Sequence, residues 1–431
     1  MHQTDTLQVF KNKKVNMENE KVYESIGKKI AGDVEIKDLL PLSPSKRIER
    51  IYSVLKKMID NEKIVISDKK IAKIVREIYE DTFEFGPISM LMNEDSVTEV
   101  MINDWNDIYV EVMGSLKKVD TTFRNSQHLR NMVEKIISPL GLRADESFPM
   151  VDARLKDGSR INIVLSPVSS KELVVTIRKF RKSLIGINDL LLEDSLDEKI
   201  ADFLKACVNS RVNIILSGAT STGKTTLLNI ISGLIPQNER IITIEDTFEL
   251  NLKLAHVIRL ESRPANLEGK GEITLRDLVK NSLRMRPDRI VVGEIRGPEA
   301  VDVLQAMNTG HEGSMTTVHA NSPVDLISRL ETMLLMSGIN LTPPSARRII
   351  ASSVDCIIHL ERLNNGQRVI SRVSEIINSS SRIGNSATLE VMDIFILENK
   401  DTKRDFIFTG YIPGFISKIN KRGEEFDFKN L

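Results

Sequence analysis

The chain has 431 residues, of which 41% are hydrophobic and 28% charged, proportions that exclude a small disulfide-stapled scaffold and a fully disordered chain. Its 60 basic and 60 acidic residues leave no net charge, which argues against a protein that coats nucleic acid. The two cysteines, Cys207 and Cys356, lie far apart and exclude a four-cysteine zinc module. No run of residues is long and apolar enough for a signal peptide or a membrane span, so we expect a cytoplasmic protein.

The first part of the chain predicts three segments. Residues 1–40 mix charged and polar side chains without clear periodicity, which predicts a loosely ordered arm. Two amphipathic helices follow in a helical subdomain over 41–84, the first with Ser43 as N-cap and Pro44 at its first position. Short alternating runs then predict an α+β domain over 85–182, interrupted by one helix near 127–137.

From residue 183 the pattern changes to an alternation of strands and helices that continues to about Leu363. Strands that alternate with helices are typical of a mostly parallel sheet that helices cover on both faces. We therefore predict one α/β domain with a C-terminal extension over residues 183–431.

A phosphate-binding loop is the most informative motif in the chain. VNIILSGATSTGKTTLLNIISGLI is a strand, a loop and a helix that fit GxxxxGK[ST]. In such a loop the backbone N–H groups turn inward, the lysine neutralises the β- and γ-phosphates, and the hydroxyl after it binds Mg²⁺. We therefore predict an ATP and Mg²⁺ site, with nucleotide contacts from Gly218, Ala219, Thr220, Ser221, Thr222, Gly223, Lys224, Thr225 and Thr226.

Two carboxylates follow strands of the same predicted sheet. Glu245 ends the run RIITIE and Glu294 ends RIVVGE, and ligands of open α/β sheets bind at these strand ends. We predict that Glu294 orients the attacking water or the Mg²⁺ shell, and that Glu245 holds metal-bound water. A solvated acidic loop around Glu245 and an ion pair between Glu294 and Arg296 are the alternatives. Together with Lys224, these carboxylates are the catalytic candidates.

The run NTGHEGSMTTVHANS places His311 and His319 on either side of a short strand. Their separation matches no compact zinc spacing and no cysteine lies nearby, which argues against a metal site. A neutral imidazole can sense the γ-phosphate or relay its loss to the neighbouring subunit, so both histidines are candidates for the nucleotide site. A structural histidine is the alternative for each.

In chain order, GATSTGKTT, TIEDTFEL, LRMRPDRIVVGEIRGPEA and AMNTGHEGSMTTVHANSP resemble the Walker A, Asp box, Walker B and His box of the type II/IV secretion ATPases. FGPISMLMNEDSVTEVMIND, SFPMVDARLKDGSRIN and TIRKF resemble the CpaF-type branch, the motors of tight-adherence (Flp) pilus assembly. The resemblance covers about residues 80–363. It implies a RecA-like P-loop ATPase domain, an α+β N-terminal domain and a helical N-terminal extension.

The resemblance also implies a function. Members of this family are homohexameric cytoplasmic ATPases that dock on an inner-membrane platform protein and power pilus assembly or type II/IV protein secretion. Arginines of the N-terminal domain reach the phosphates in this family, and the candidates here are Arg154, Arg160 and Arg178. If Asp157-Gly158 is a two-residue hairpin loop, Arg160 pairs with Leu155 and Arg154 points to the opposite face. We therefore favour Arg160 and Arg178, with Arg154 as a further candidate, and surface or structural ion pairs are the alternative for these arginines.

The sequence departs from an ordinary Walker B motif because Gly293, rather than an aspartate, precedes Glu294. The resemblance therefore leaves Mg²⁺ to Thr225 and water, with Glu245 as a further ligand. A RecA-like motor that depends on nucleic acid is the alternative function, and Arg284, Arg286 and Arg289 form its basic run. Zero net charge and an aromatic content of 5% argue against that alternative.

Overall fold

The computed structural model describes residues 36–61, 66–112, 114–180, 186–263, 265, 270–380, 387–400, 403–424 and 426–428. Residues 1–35 of the predicted arm lie outside these ranges. The chain divides into two compact units, Met1–Lys182 and Ser183–Leu431. Among the described residues, no helix combines the length and the apolar character that crossing a bilayer needs.

The first unit begins with a small helical layer. A short helix, α1 (Ile36–Leu39), is followed by α2 (Pro44–Asn61) and α3 (Asp68–Phe83). Apolar residues recur three or four positions apart on both long helices, so each presents one apolar stripe to the other. Ile51 and Leu55 of α2 are buried against Ile71 and Ile74 of α3.

An α+β layer completes the first unit. After a 3-10 turn (Gly86–Ile88), its elements in chain order are α4 (Ser89–Asn93), β1 (Val97–Asp104), β2 (Asp107–Val112), β3 (Ser115–Val119), α5 (Ser126–Ile137), a second 3-10 turn (Ser138–Leu140), β4 (Met150–Arg154), β5 (Arg160–Leu165) and β6 (Leu173–Arg178). The six strands form one sheet in the order β3-β2-β1-β6-β5-β4 with antiparallel neighbours. Asn125 caps α5 by accepting a hydrogen bond from the amide of His128.

The hairpin between β4 and β5 differs from the sequence prediction. Arg154, and not Leu155, lies opposite Arg160. The Leu155 amide donates to the Ser159 carbonyl at 2.8 Å, which leaves a loop of three residues with Gly158 at φ +93°. Directly opposed residues share a face of the sheet. Arg160 is in turn paired with Arg178, so the three arginines form one row, and the prediction that Arg154 points away from Arg160 is wrong.

The second unit is an α/β domain with seventeen described elements. In chain order they are α6 (Ile187–Leu192), α7 (Glu198–Asn209), β7 (Ile214–Gly218), α8 (Lys224–Ser232), β8 (Ile241–Glu245), β9 (Val257–Glu261), α9 (Leu275–Ser282), β10 (Arg289–Val292), α10 (Ala300–Asn308), β11 (Met315–His319), α11 (Pro323–Leu335), α12 (Pro343–Ser353), β12 (Cys356–Arg362), β13 (Arg368–Ser380), β14 (Ala387–Lys400), β15 (Lys403–Phe408) and α13 (Ile416–Lys421).

These strands form one nine-stranded sheet in the order β15-β14-β13-β12-β7-β11-β10-β8-β9. The strands from β12 to β9 in this order are parallel, and β13, β14 and β15 extend the sheet with antiparallel pairing. Alternate residues of β7 belong to two separate cores, with Ile214 and Leu216 in one and Ile215 in the other. Helices therefore cover both faces, which confirms the predicted α/β fold class.

A buried ion pair lies at the start of β10. The Arg289 side chain is 0% exposed, and its Nε and Nη2 each donate to a carboxylate oxygen of Glu239 at 2.8 Å. Its Nη1 donates to the Val208 carbonyl at 2.7 Å. Arg289 is therefore a structural residue and cannot follow a nucleic-acid backbone, which removes one member of the basic run behind the alternative function.

Candidate functional site

The phosphate-binding loop joins β7 to α8 and is closely packed where it begins. A Cβ on Gly218 would lie 2.5 Å from the carbonyl oxygen of Leu360 and 2.7 Å from Oγ1 of Thr222, so only glycine fits there. Gly223 precedes α8 at φ +94°, a conformation that side chains disfavour. Thr225 and Thr226 follow Lys224 in the first turn of α8, where the helix N-terminus favours anions.

Lys224 is held inside its own loop. Its Nζ donates to the carbonyls of Gly218 at 3.0 Å and Ala219 at 2.8 Å. The side chain is buried, while Ala219 and Thr220 at the tip of the loop are exposed. The ammonium is therefore placed at the mouth of the loop, where phosphate oxygens would offer stronger acceptors than neutral carbonyls.

His319 connects this lysine to the carboxylate after β10. Its Nδ1 lies 3.3 Å from Lys224 Nζ, and its Nε2 lies 2.9 Å from Oε1 of Glu294. Burial, followed by the charge of Lys224, lowers the pKa of His319 from its ordinary value. An ammonium only donates, so the neutral ring accepts at Nδ1 and carries its proton on Nε2, beside Glu294.

Glu294 also contacts Arg296. A guanidinium nitrogen of Arg296 lies 2.7 Å from Oε2 of Glu294, and this hydrogen bond raises the pKa of Arg296. The ion pair that the sequence offered as an alternative is therefore present together with the histidine contact. Because the Arg296 side chain is 62% exposed, it can leave Glu294 without opening the core.

Glu245 lies at the end of β8, inside the protein and not in a solvated loop. Its side chain is 2% exposed, and its Oε2 accepts hydrogen bonds from the amides of Glu249 at 2.7 Å and Leu250 at 2.8 Å. Burial raises its pKa from 4.5 to about 7, although the two amides and Arg259 act in the opposite direction. A carboxyl group with this pKa exchanges a proton near neutral pH.

Gly293 makes room for Glu245. A Cβ on Gly293 would lie 3.2 Å from Cγ of Glu245, so an aspartate at position 293 would crowd the side chain that is already there. Glu245 thus fills the space next to the position of an ordinary Walker B aspartate. The absence of an aspartate at position 293 and the burial of Glu245 therefore have the same cause, since both side chains would need the same space.

The arrangement fits a divalent cation. Oε1 of Glu245 is buried and accepts no hydrogen bond from any described residue, which is a cost that a cation or its water would offset. Thr225 offers a hydroxyl in the first turn of α8. Hard oxygen donors of this kind suit Mg²⁺.

The structure separates the two candidate histidines. His311 precedes β11 and His319 ends it, so the length of the strand, about 13 Å, lies between them. Gly313, two residues after His311, donates its amide to Asn213 at the start of β7, the end opposite the phosphate-binding loop. His311 therefore lies at the end of β11 away from the phosphate-binding loop of its own chain, and its role toward a nucleotide or a neighbouring subunit stays a prediction.

The predicted arginines belong to the first unit. Arg154, Arg160 and Arg178 stand in one row across three strands, on the face opposite the core residues Val151 and Ile161. Glu99 of β1 continues the row and lies 3.8 Å from Arg178. The three arginines therefore lie on one face of the sheet, as they must if they are to contact the same anion.

Sequence reasoning missed two groups beside the phosphate-binding loop. Nε of Arg368 donates to the Ser221 carbonyl at 3.0 Å, and Nδ1 of the buried His359 lies 2.8 Å from Oγ of Ser217. Both come from the strands β12 and β13, which follow the last recognised motif. No motif marks either residue, since strand pairing alone brings them to the loop.

Comparison with known proteins agrees with these motifs. Residues 81–393 match the family described as type II/IV secretion system protein. A putative conjugal transfer protein of Mycobacterium tuberculosis is 31% identical over 325 residues, which are 74% of this chain and 92% of that protein. The type IV secretion system protein PtlH of Bordetella pertussis is 30% identical over 68% of this chain and 94% of its own length.

Solved structures include the VirB11 ATPase of the Brucella suis type IV secretion system in complex with sulphate. It is 27% identical, with a TM-score of 0.37, and the match covers 69% of this chain and 97% of that one. The family match spans well over half of the chain and includes every motif of the site. It confirms the expected resemblance, whereas the CpaF-type branch stays a prediction. The chain is a P-loop ATPase of the type II/IV secretion system family.

Proposed function

We propose that this chain is a Mg²⁺-dependent, homohexameric motor on the cytoplasmic side of a membrane, where it docks on a platform protein and converts ATP hydrolysis into pilus assembly or protein secretion. The conjugal transfer and PtlH relatives support transport as the output. The observation that carries the proposal is the line of contacts from Lys224 through His319 to Glu294. These contacts link the phosphate-binding loop after β7 to the carboxylate after β10, and β11 lies between the two strands in the sheet.

In the proposed reaction each side chain has a separate task. Lys224 exchanges the two loop carbonyls that it now contacts for oxygens of the β- and γ-phosphates. Glu294, once Arg296 has left, orients the attacking water and accepts its proton. His319 is neutral and touches both partners, so it can pass a change at Lys224 on to Glu294 without adding a charge.

We assign the cation to the residues that fit it. Thr225 would bind Mg²⁺ through its hydroxyl, and Glu245 and Glu294 would hold it through water. When bound, the ion would stabilise the negative charge that develops on the phosphate oxygens during hydrolysis. Glu245 binds it best as a carboxylate, because protonation removes an oxygen donor.

The arginine row of the first unit is the proposed second set of phosphate contacts. Guanidinium groups match phosphate oxygens in pairs, and Arg154, Arg160 and Arg178 are aligned across three neighbouring strands. Their shared face now makes Arg154 as good a candidate as the other two.

The first experiment measures phosphate release from Mg-ATP by the full chain as its concentration rises, with molecular mass by light scattering on the same samples. Specific activity that climbs as a six-fold mass appears would support a ring motor. Lys224→Ala should abolish nucleotide binding or turnover, and Glu294→Gln should keep ADP binding and lose turnover. A Glu294→Gln protein that hydrolyses ATP at the wild-type rate would refute the role given to this carboxylate.

A further inference from the structure

The phosphate-binding loop is contacted from two sides. The strand β7 has β11 as one neighbour and β12 as the other. His319, at the end of β11, reaches Lys224 from the first side. On the second side, the hairpin of β12 and β13 lies along the loop. Leu360 of β12 pairs with Gly218, and Arg368 of β13 contacts Ser221.

Arg368 makes two contacts with the loop. Its Nε donates to the carbonyl of Ser221 at 3.0 Å, and its Cδ lies 3.2 Å from the position that a Cβ on Gly223 would take. The aliphatic part of the side chain therefore covers Gly223, the residue before Lys224. The polar part holds the backbone of Ser221.

Ser221 needs such support. It has φ +61°, in the left-handed region that residues with a Cβ adopt at a cost. A strained backbone of this kind persists only when neighbouring groups hold it in place. The hydrogen bond from Arg368 is one such constraint, and the hydrogen bond from Oγ1 of Thr222 to the Ala219 carbonyl is another.

The geometry of the peptide bond gives this contact a consequence for ligand binding. In a trans peptide the carbonyl of one residue and the amide of the next point in opposite directions. Because Arg368 draws the Ser221 carbonyl toward the hairpin, the amide of Thr222 is turned away from the hairpin. Inward amides are the donors with which such loops bind phosphate.

We propose that Arg368 is a positioning residue for the nucleotide: it holds the Ser221 carbonyl so that the Thr222 amide faces the bound phosphates. The inference rests on the proposed function, because it assigns a role within the same ATP site. It acts on binding and not on the hydrolysis step, since the residue that it holds, Ser221, belongs to the phosphate-binding loop and not to the groups assigned to the attacking water. ADP and ATP share the phosphates that this part of the loop would contact, so both should be affected alike.

Three substitutions separate the hydrogen bond from the charge. Arg368→Gln keeps an N–H donor at the position of Nε and removes the charge, Arg368→Lys keeps the charge and moves the donor one bond farther, and Arg368→Met removes both. The matched control is Arg372→Met, on the same strand, because Arg372 pairs with Asp393 at 2.6 Å. Affinity for ADP is measured by calorimetry on the full chain, and KM and kcat are measured by phosphate release.

We expect Arg368→Met to weaken ADP binding about tenfold, the value of one hydrogen bond to a charged group, and to raise the KM for ATP equally with kcat unchanged. Arg368→Gln should bind ADP within about threefold of wild type, and Arg372→Met should match wild type. If Arg368→Met does not fold, the ADP affinities of Arg368→Gln and Arg368→Lys test the inference. The glutamine variant should then bind ADP more tightly than the lysine variant.

Three results would overturn the inference. Arg368→Met could bind ADP as wild type does, lysine could restore binding where glutamine does not, or kcat could fall while ADP affinity is unchanged. A wild-type chain that binds ADP but releases no phosphate would contradict the proposed function instead, and the ADP affinities would still decide the role of Arg368.

Discussion

Replacing Glu245 with glutamine tests whether the buried carboxyl makes the stability of the ATPase unit depend on pH. Burial raises the pKa of Glu245 from 4.5 to about 7. The folded state then binds the proton more tightly than the unfolded state, so this group costs nothing below pH 4.5, and its cost grows as the pH rises to about 7. A shift of this size corresponds to about 3 kcal/mol, of which about 2 kcal/mol develops between pH 5.5 and pH 8.5.

Glutamine keeps an oxygen that accepts from the amides of Glu249 and Leu250 and removes only the titration. The free energy of unfolding is measured in urea by circular dichroism, without nucleotide and with a metal chelator. Relative to wild type, Glu245→Gln should gain about 2 kcal/mol between pH 5.5 and pH 8.5. Trp105, the one tryptophan of the chain, lies in the first unit and reports separately on it.

The matched control is Glu272→Gln, which changes an exposed carboxyl in the same unit. A Glu245→Gln difference that is the same at both pH values, or that changes no more than the Glu272→Gln difference does, would refute the raised pKa, and with it the view that this carboxyl is buried without a strong partner. A shift of the Trp105 transition in this variant would show that the effect is not confined to the ATPase unit.

Three further predictions concern single side chains. Arg289→Met should lower the free energy of unfolding by about 3 kcal/mol, because the buried Glu239 loses the two hydrogen bonds from Arg289 and keeps only the contact with Arg211 at 3.2 Å; urea unfolding that matches wild type would contradict this. His319→Ala should lower kcat about tenfold, the value of a lost contact with a charged group, while calorimetry finds ADP affinity within about threefold; a loss of ADP affinity with kcat unchanged would place the ring in binding alone. Arg160→Gln should raise the KM for ATP about tenfold and leave the unfolding transition unchanged, and unaltered kinetics would remove Arg160 from the phosphate site.

Parts of the fold that follow from local pattern could be predicted. The strand, loop and helix around Lys224 combine an apolar run, a glycine loop and a helix, and each has a local cause. The alternation of strands and helices likewise predicts a parallel sheet with two covered faces. These patterns depend on neighbours in sequence, so no information about distant contacts is needed.

Other features depend on a shift of strand register by one residue, or on the pairing of strands that lie far apart in sequence. The predicted loop at Asp157-Gly158 was one residue too short, and that slip moved Arg154 to the wrong face of the sheet. The contact of Arg368 with Ser221 joins residues 147 positions apart, and only the pairing of β12 with β7 brings them together. The distance of His311 from the loop has a similar cause, because proximity in sequence to His319 says nothing about which end of a strand a residue occupies.

The contact between Gly293 and Glu245 has a consequence for how this protein can vary. A Cβ at position 293 would meet Cγ of Glu245 at 3.2 Å, so the two positions share one space. Replacing either residue alone should lower the free energy of unfolding more than replacing both. A double-mutant cycle with Gly293→Asp and Glu245→Ser would measure this difference. Among homologous chains, we expect an aspartate at the first position to be accompanied by a smaller residue at the second.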